Sequence, residues 1–346
     1  MSPTTALSIG LYNGGTTSGR SPYSRRAFFP ELLGGLLLGP QLWAKNLTGV
    51  EQVMGKLPKI NHHAPLRVQI LSEEKLEHYI RKRLSYVPEP DSLVHGWLLI
   101  PNASRPAPAA LCLHETTPIG KDEVVGFGGK PNLRYGDELA RRGYVVLAPD
   151  YPSFGEDKVD FAREVYGRGY VSGTMKGIVN HIRGIDLITS LPGVQAKQIA
   201  VIGHSLGGHN SLFVAAFEPR IRAVVTSCGF TSMSRYYGGN LKGWTSDRYM
   251  PRIASVYHNS PKELPFDFTD ILLAIAPRPV FINAPVSDSN FDVTGVDECI
   301  KKVKNRFPEG NLVVAHPQCG HDFPPEVREQ AYRFLDDQLR FRHGGA

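Results

Sequence analysis

Cysteine is scarce. Cys112, Cys228, Cys299 and Cys319 are the only four in 346 residues, too few and too widely spaced for a disulfide framework. None forms a Cys-x-x-Cys pair, which removes the usual zinc and thiol-redox motifs. One disulfide stays open for an exported chain, although the spacing selects no partners. Long apolar runs are also missing, so no segment reads as a stable membrane span. Lys and Arg outnumber Asp and Glu by 39 to 33, yet they are scattered, with no basic arm interleaved with aromatics. That pattern argues against a nucleic-acid partner and for a solvated, mildly basic surface. There is no internal repeat and no low-complexity tract.

What remains is an ordinary globular composition, 41% hydrophobic and 21% charged, long enough for one large domain or two small ones. Residues 1–44 stand apart. A polar leader without acidic residues runs into Ser24-Arg25-Arg26-Ala27-Phe28-Phe29, and a modestly apolar stretch then ends at Ala44. This resembles a twin-arginine export signal and predicts a periplasmic or secreted protein; a cytoplasmic chain with a chance double arginine is the alternative. Pro30 and Glu31 depart from the pattern, as does a poor small-residue cleavage site. Residues 45–346 are then the folded domain, its pattern plain from about Pro65.

Along that domain "LRVQILS" and "VHGWLLIP" read as early antiparallel strands. The stretch between them, "EEKLEHYIRKRLSYV", is helical by charge spacing but strand-like by alternation. Short apolar strands and amphipathic helices then alternate: "AALCLHE", "YVVLAPD", "IAVIG", "RAVVTS", "PVFINAP" and "LVVAH" are the strands. The intervening helices include one with Ile178, Ile182, Ile185 and Ile188 on a single face, and a closing one with Val327, Ala331, Phe334 and Leu335 inward. Such alternation predicts an α/β fold with a mostly parallel central sheet covered on both faces. Residues 230–275, aromatic and glycine-rich without clear periodicity, predict a cap-like insertion over the site.

The reactive site of such a sheet lies beyond the carboxyl ends of its strands. There "IAVIGHSLGGHNS" places Ser205 between a buried strand and a helix, with Gly203, Gly207 and Gly208 around it. A hydroxyl held on so tight a turn needs small neighbours, and the helix start offers free N–H groups, so Ser205 reads as a nucleophile. It needs a base and an acid to orient that base. Of twelve histidines, His321 in "QCGHDFPP" sits in the loop after the last strand; His316 reads as that strand's end and His343 as part of a frayed tail. The loop after "PVFINAP" offers Asp288 and Asp292. Asp288 comes first and is the expected acid, while Asp292 suits a helix cap. Oxyanion donors are expected at the backbone N–H groups of Leu206 and Thr116. His114 and Glu115 either line the site or pack at the strand end, and His204 packs under the elbow. Asp150 reads as a turn residue bonded to backbone.

The stretches "LCLHET", "LAPDYPSFGE", "VIGHSLGGHNSLFVAAFEPRI", "APVSDSNF" and "CGHDFP" together resemble the α/β-hydrolase superfamily. Within it the likeness is to bacterial serine hydrolases of the dienelactone hydrolase and prolyl-oligopeptidase-like group, acetyl-xylan-esterase-like proteins included. It covers about residues 65–342. Ser205 stands where dienelactone hydrolases carry cysteine, and the propeller that precedes true prolyl oligopeptidases has no counterpart in the residues before the domain. The resemblance implies an α/β-hydrolase fold and a triad of Ser205, Asp288 and His321. It also implies hydrolysis of a small-molecule or carbohydrate ester through an acyl-enzyme, without metal or organic cofactor. An amidase or exopeptidase, or a non-catalytic binding protein, are the alternatives. Glu115, Tyr236, Tyr237, Trp244 and Tyr249 are expected to line the substrate pocket. Oligomeric state is not legible.

Overall fold

The computed structural model describes residues 40–102 and 106–342. The twin-arginine motif and His343 lie outside the described residues. The described part begins with α1 (Pro40–Met54), then β1 (Gln69–Lys75), β2 (Tyr79–Tyr86), β3 (Val94–Pro101) and β4 (Ala107–Leu113). It continues through α2 (Lys121–Val124), α3 (Tyr135–Arg141), β5 (Val145–Pro149), α4 (Gly173–Ser190), β6 (Val194–His204) and α5 (Leu206–Phe217). β7 (Ile221–Ser227), α6 (Arg252–Ser255), α7 (Phe268–Ile275), β8 (Val280–Asn283), α8 (Val293–Val303), β9 (Leu312–Ala315) and α9 (Pro325–Gln338) complete it.

The strands form one nine-stranded sheet in the order β1-β2-β3-β5-β4-β6-β7-β8-β9. β1, β2, β3 and β5 pair antiparallel, and every pair from β5 onward is parallel. The ambiguous "EEKLEHYIRKRLSYV" is strand. Its alternating charges face each other across the hairpin, with Glu73 opposite Lys82 and Glu74 opposite Arg81. Cross-strand pairs of this kind stabilise a hairpin much as i,i+4 pairs stabilise a helix, which is why spacing alone left both readings open.

β4 and β5 are buried at every position, as strands covered on both faces must be. Ile178, Ile182, Ile185 and Ile188 of α4 pack on one side of the sheet. Val327, Ala331, Phe334 and Leu335 of α9 pack on the other. At roughly 2 kcal/mol for each buried aliphatic side chain, these two stripes hold the layers together. α1 runs across the 44/45 boundary and sends Leu47, Val50, Val53 and Met54 into the core.

The 230–275 insertion divides in two. Its last part, α7, opens with a capping box between Asp267 and Asp270 and buries Phe268, Ile271, Leu272 and Ile275 in the body of the domain. Only the preceding turns, with Tyr236, Trp244 and Tyr249, lie over the carboxyl end of the sheet. His316 follows β9 rather than ending it, its Nδ1 on the Ala284 carbonyl at 2.8 Å. All four cysteines are free. Among the described residues no helix is long and apolar enough to cross a membrane.

Candidate active site

β6 delivers the chain into the interior and α5 carries it away, with Ser205 alone between them. Its backbone stands at φ 53°, ψ −114°, a left-handed conformation that costs a non-glycine residue about 1–3 kcal/mol. The neighbours show why they must be small. A Cβ on Gly203 would overlap the backbone of Gly207, and one on Gly207 would overlap the Leu113 carbonyl. The turn is pinned by the Ser205 N–H donating to the Ser227 carbonyl at 2.8 Å and the His209 N–H donating to the Ser205 carbonyl at 3.1 Å.

The expected acid and base come from two loops laced together. The N–H groups of Val286 and Ser287, after β8, donate to the carbonyls of Pro317 and Cys319, after β9, both at 3.1 Å. This brings the Asp288 carboxylate to His321 Nδ1, at 3.0 and 2.9 Å from its two oxygens. Asp288 also accepts the N–H groups of Asn290 (2.8 Å) and Phe291 (3.1 Å). Burial works to raise its pKa, but the imidazole and these N–H groups outweigh it and hold the carboxyl below the usual range. Asp292 caps α8, its carboxylate accepting the Thr294 N–H at 2.8 Å, as its place in the sequence predicts.

Ser205 and His321 both face a cavity of about 290 Å³. No hydrogen bond joins them among the described residues; nucleophile–base contacts of this kind often close only around substrate. Leu206 is the first residue of α5, so its N–H has no acceptor one turn back. Thr116 lies on the same cavity wall, and its hydroxyl is 3.5 Å from that of Tyr249.

The predicted lining divides as follows. Glu115, Tyr236, Trp244 and Tyr249 face the cavity. Tyr237 does not: it projects outward, 54% exposed, and its hydroxyl donates to Asn290 Oδ1 at 2.6 Å. Through that bond Tyr237 braces a wall residue instead of being one. His114 is packing, with Nδ1 on the Glu115 carbonyl and Nε2 accepting the Tyr151 N–H.

Sequence reasoning missed Lys130, His209, Asn290 and Phe291 on the wall. Asn290 and Phe291 were signalled by lying within three residues of Asp288, whereas Lys130 comes from a loop with no periodic pattern. Lys130 Nζ lies 2.9 Å from both Glu115 oxygens. His209 is buried against Trp244, which pushes its pKa down to about 3, so it is a neutral wall.

His204 packs beneath the elbow as expected, its ring centroid 4.8 Å from that of His321 and its pKa driven far down by burial. Asp150 accepts the backbone N–H groups of Lys121 (2.9 Å) and Glu156 (3.0 Å), and also the buried Lys121 ammonium at 2.8 Å.

His204, Cys228 and His321 place ligand-type atoms within 4.8 Å of one another. Both Nδ1 atoms are already engaged, by Ser227 and Asp288, and burial pushes the Cys228 thiol well up. A thiol held protonated in this way is a poor metal ligand.

A serine on a strained strand-to-helix turn and a histidine held by a buried carboxylate line one cavity beside a mostly parallel sheet. The chain belongs to the alpha/beta hydrolase family, whose description matches residues 93–335. It is 27% identical over 305 residues to YtaP of Bacillus subtilis, named a hydrolase, covering 83% of this chain and 97% of that one. In structure it is similar to a glucuronoyl esterase from Solibacter usitatus (TM-score 0.65, 15% identity, 86% and 91% of the two chains covered). It is also similar to an acetyl xylan esterase from Paenibacillus sp. R4 (TM-score 0.59, 18% identity, 89% and 96% covered).

Proposed function

We propose that the protein is a serine hydrolase that cleaves carboxylic esters through an acyl-enzyme. The observation that carries this reading is the Asp288–His321 pair facing the same cavity as Ser205 on its strained turn. The Ser205 oxygen bonds to the ester carbonyl carbon while its proton passes to His321 Nε2, and Asp288 stabilises the resulting imidazolium. The tetrahedral oxyanion takes the N–H groups of Leu206 and Thr116. The carbon–oxygen bond to the alcohol then breaks, and the alcohol leaves with the proton from His321. Water repeats the sequence on the acyl-enzyme, releasing the acid and restoring Ser205. The cavity's wall of rings and polar groups favours a compact ester, including one of a carbohydrate. The names borne by similar structures, acetyl xylan esterase and glucuronoyl esterase, lean the same way. The Ser24-Arg25-Arg26 segment supports export of the chain through the twin-arginine route.

A fluorophosphonate probe is expected to label the wild type and not Ser205→Ala, and an ester panel to be hydrolysed at least about a hundredfold faster than the matching anilides. Labelling that persists in Ser205→Ala would remove the nucleophile assignment. Comparable kcat/KM on amino-acyl anilides would make the protein a peptidase instead.

A further inference from the structure

Lys130 and Glu115 form an ion pair on the wall of the cavity that holds Ser205 and His321. The carboxylate is nearly buried, its side chain 10% exposed, and the ammonium is half open at 51%. Lys130 reaches this place because its own N–H is anchored on the buried Glu123 carboxylate at 2.9 Å. The pair connects to His321 through one buried ring: Glu115 Oε2 is 3.7 Å from His204 Nε2, and the His204 ring packs on that of His321. The leaving alcohol must approach His321, which returns its proton. The cavity is only about 290 Å³, so an alcohol at His321 shares that space with the pair.

We propose, resting on the ester-hydrolase reading above, that Lys130 and Glu115 select the leaving alcohol, taking a neutral group with neighbouring hydroxyls and rejecting one that carries a carboxylate. An ammonium has three N–H donors, and Glu115 does not use them all; the carboxylate likewise keeps free lone pairs. Two adjacent hydroxyls can accept from Lys130 and donate to Glu115 at once. Asn290 adds a donor, because its carbonyl is taken by the Tyr237 hydroxyl and its NH₂ remains. An apolar alcohol would strip water from the pair and return nothing. A carboxylate drawn to Lys130 would meet Glu115, whose oxygens lie 2.9 Å from the same ammonium, with Glu123 behind it. The local charge is balanced or negative, so an anion gains little and is repelled.

The test uses the full chain and three acetyl esters: of methyl glucoside, of the corresponding uronic acid glycoside, and of cyclohexanol, which has the ring size without the hydroxyls. The wild type is expected to favour the neutral sugar in kcat/KM by at least about tenfold over each of the other two, the usual scale for charged hydrogen bonds to a substrate. Lys130→Met and Glu115→Gln should each lower the ratio of neutral sugar to cyclohexyl ester by about tenfold. Lys130→Arg should restore most of it. Glu115→Gln should also raise the uronate relative to the neutral sugar. An unchanged circular dichroism spectrum and a cooperative thermal melt show that each variant is folded. Equal cleavage of the three esters by the wild type overturns the proposal while leaving the esterase reading intact. So do ratios that stay within about twofold in both Lys130→Met and Glu115→Gln. Cleavage of none of them overturns the esterase reading and this one with it.

Discussion

His321 Nδ1 lies 3.0 and 2.9 Å from the two oxygens of Asp288, although 33 residues separate them in the chain. The imidazole thus carries its Nδ1 proton toward the acid and presents Nε2 to the cavity, the tautomer a general base requires.

Asp288→Asn is expected to lower kcat by about 10⁴-fold, because an amide can donate to Nδ1 and favour the wrong tautomer. Asp292→Asn should leave kcat near the wild type and reduce stability by no more than about 1 kcal/mol, as befits a cap exchanged for another capping residue. Steady-state kinetics with thermal melts on both variants separates the two aspartates. A larger kcat loss in Asp292→Asn would reverse their assignment.

Gly207→Ala puts a methyl group into the Leu113 carbonyl. The elbow must shift, at a cost of about 1–3 kcal/mol, and a displacement near 1 Å at a nucleophile typically costs about a hundredfold in rate. Urea denaturation together with the rate of fluorophosphonate labelling checks both effects. Wild-type values in both would show that the turn is looser than its contacts imply.

Trp244 is 3% exposed and packs against His209, Tyr236 and Phe268, with ring centroids 4.7, 5.4 and 5.9 Å away. Trp244→Ala should cost about 3–5 kcal/mol and enlarge the cavity, shifting the ester profile toward bulkier substrates. An unchanged profile across acyl and alcohol lengths would remove Trp244 from the pocket.

Glu156 accepts from the Lys121 ammonium at 2.7 Å and is also paired with Arg83. Burial works to raise its pKa, but the two cations prevail and lower it to about 2 from the ordinary 4.5. A carboxyl depressed on folding adds stability that is full above its unfolded pKa and is lost as pH falls through the folded one. Glu156→Gln should therefore destabilise the protein by about 2 kcal/mol at pH 7. The gap between variant and wild type should close as pH falls from 4.5 toward 2. Denaturation curves across that range test it, and a gap independent of pH would contradict the assigned charge state.

Much of the sheet was legible because each buried strand is a short apolar run closed by a turn residue, a pattern written within a few positions. The β1–β2 hairpin was not, since opposite charges at short spacing serve a helix face or a strand pair equally well. The 230–275 segment was read as a single cap for a similar reason: α7 is too short to assert its own periodicity among so many aromatics. Its burial comes from α1 and α5, which are distant in sequence.

The sequence alone determined that Ser205 would sit on a turn too tight for a side chain at Gly203, because that constraint acts through the nearby backbone of Gly207, whereas Gly207 is held small by the Leu113 carbonyl of a distant strand. It also determined the order in which Asp288 and His321 would follow. The tertiary structure alone decided what shares the cavity with them. Lys130 entered it, Tyr237 was turned out of it, and Asn290 and Phe291 joined beside the base. Those outcomes depend on loops from separate strand ends packing against one another, and no local pattern encodes a contact of that kind.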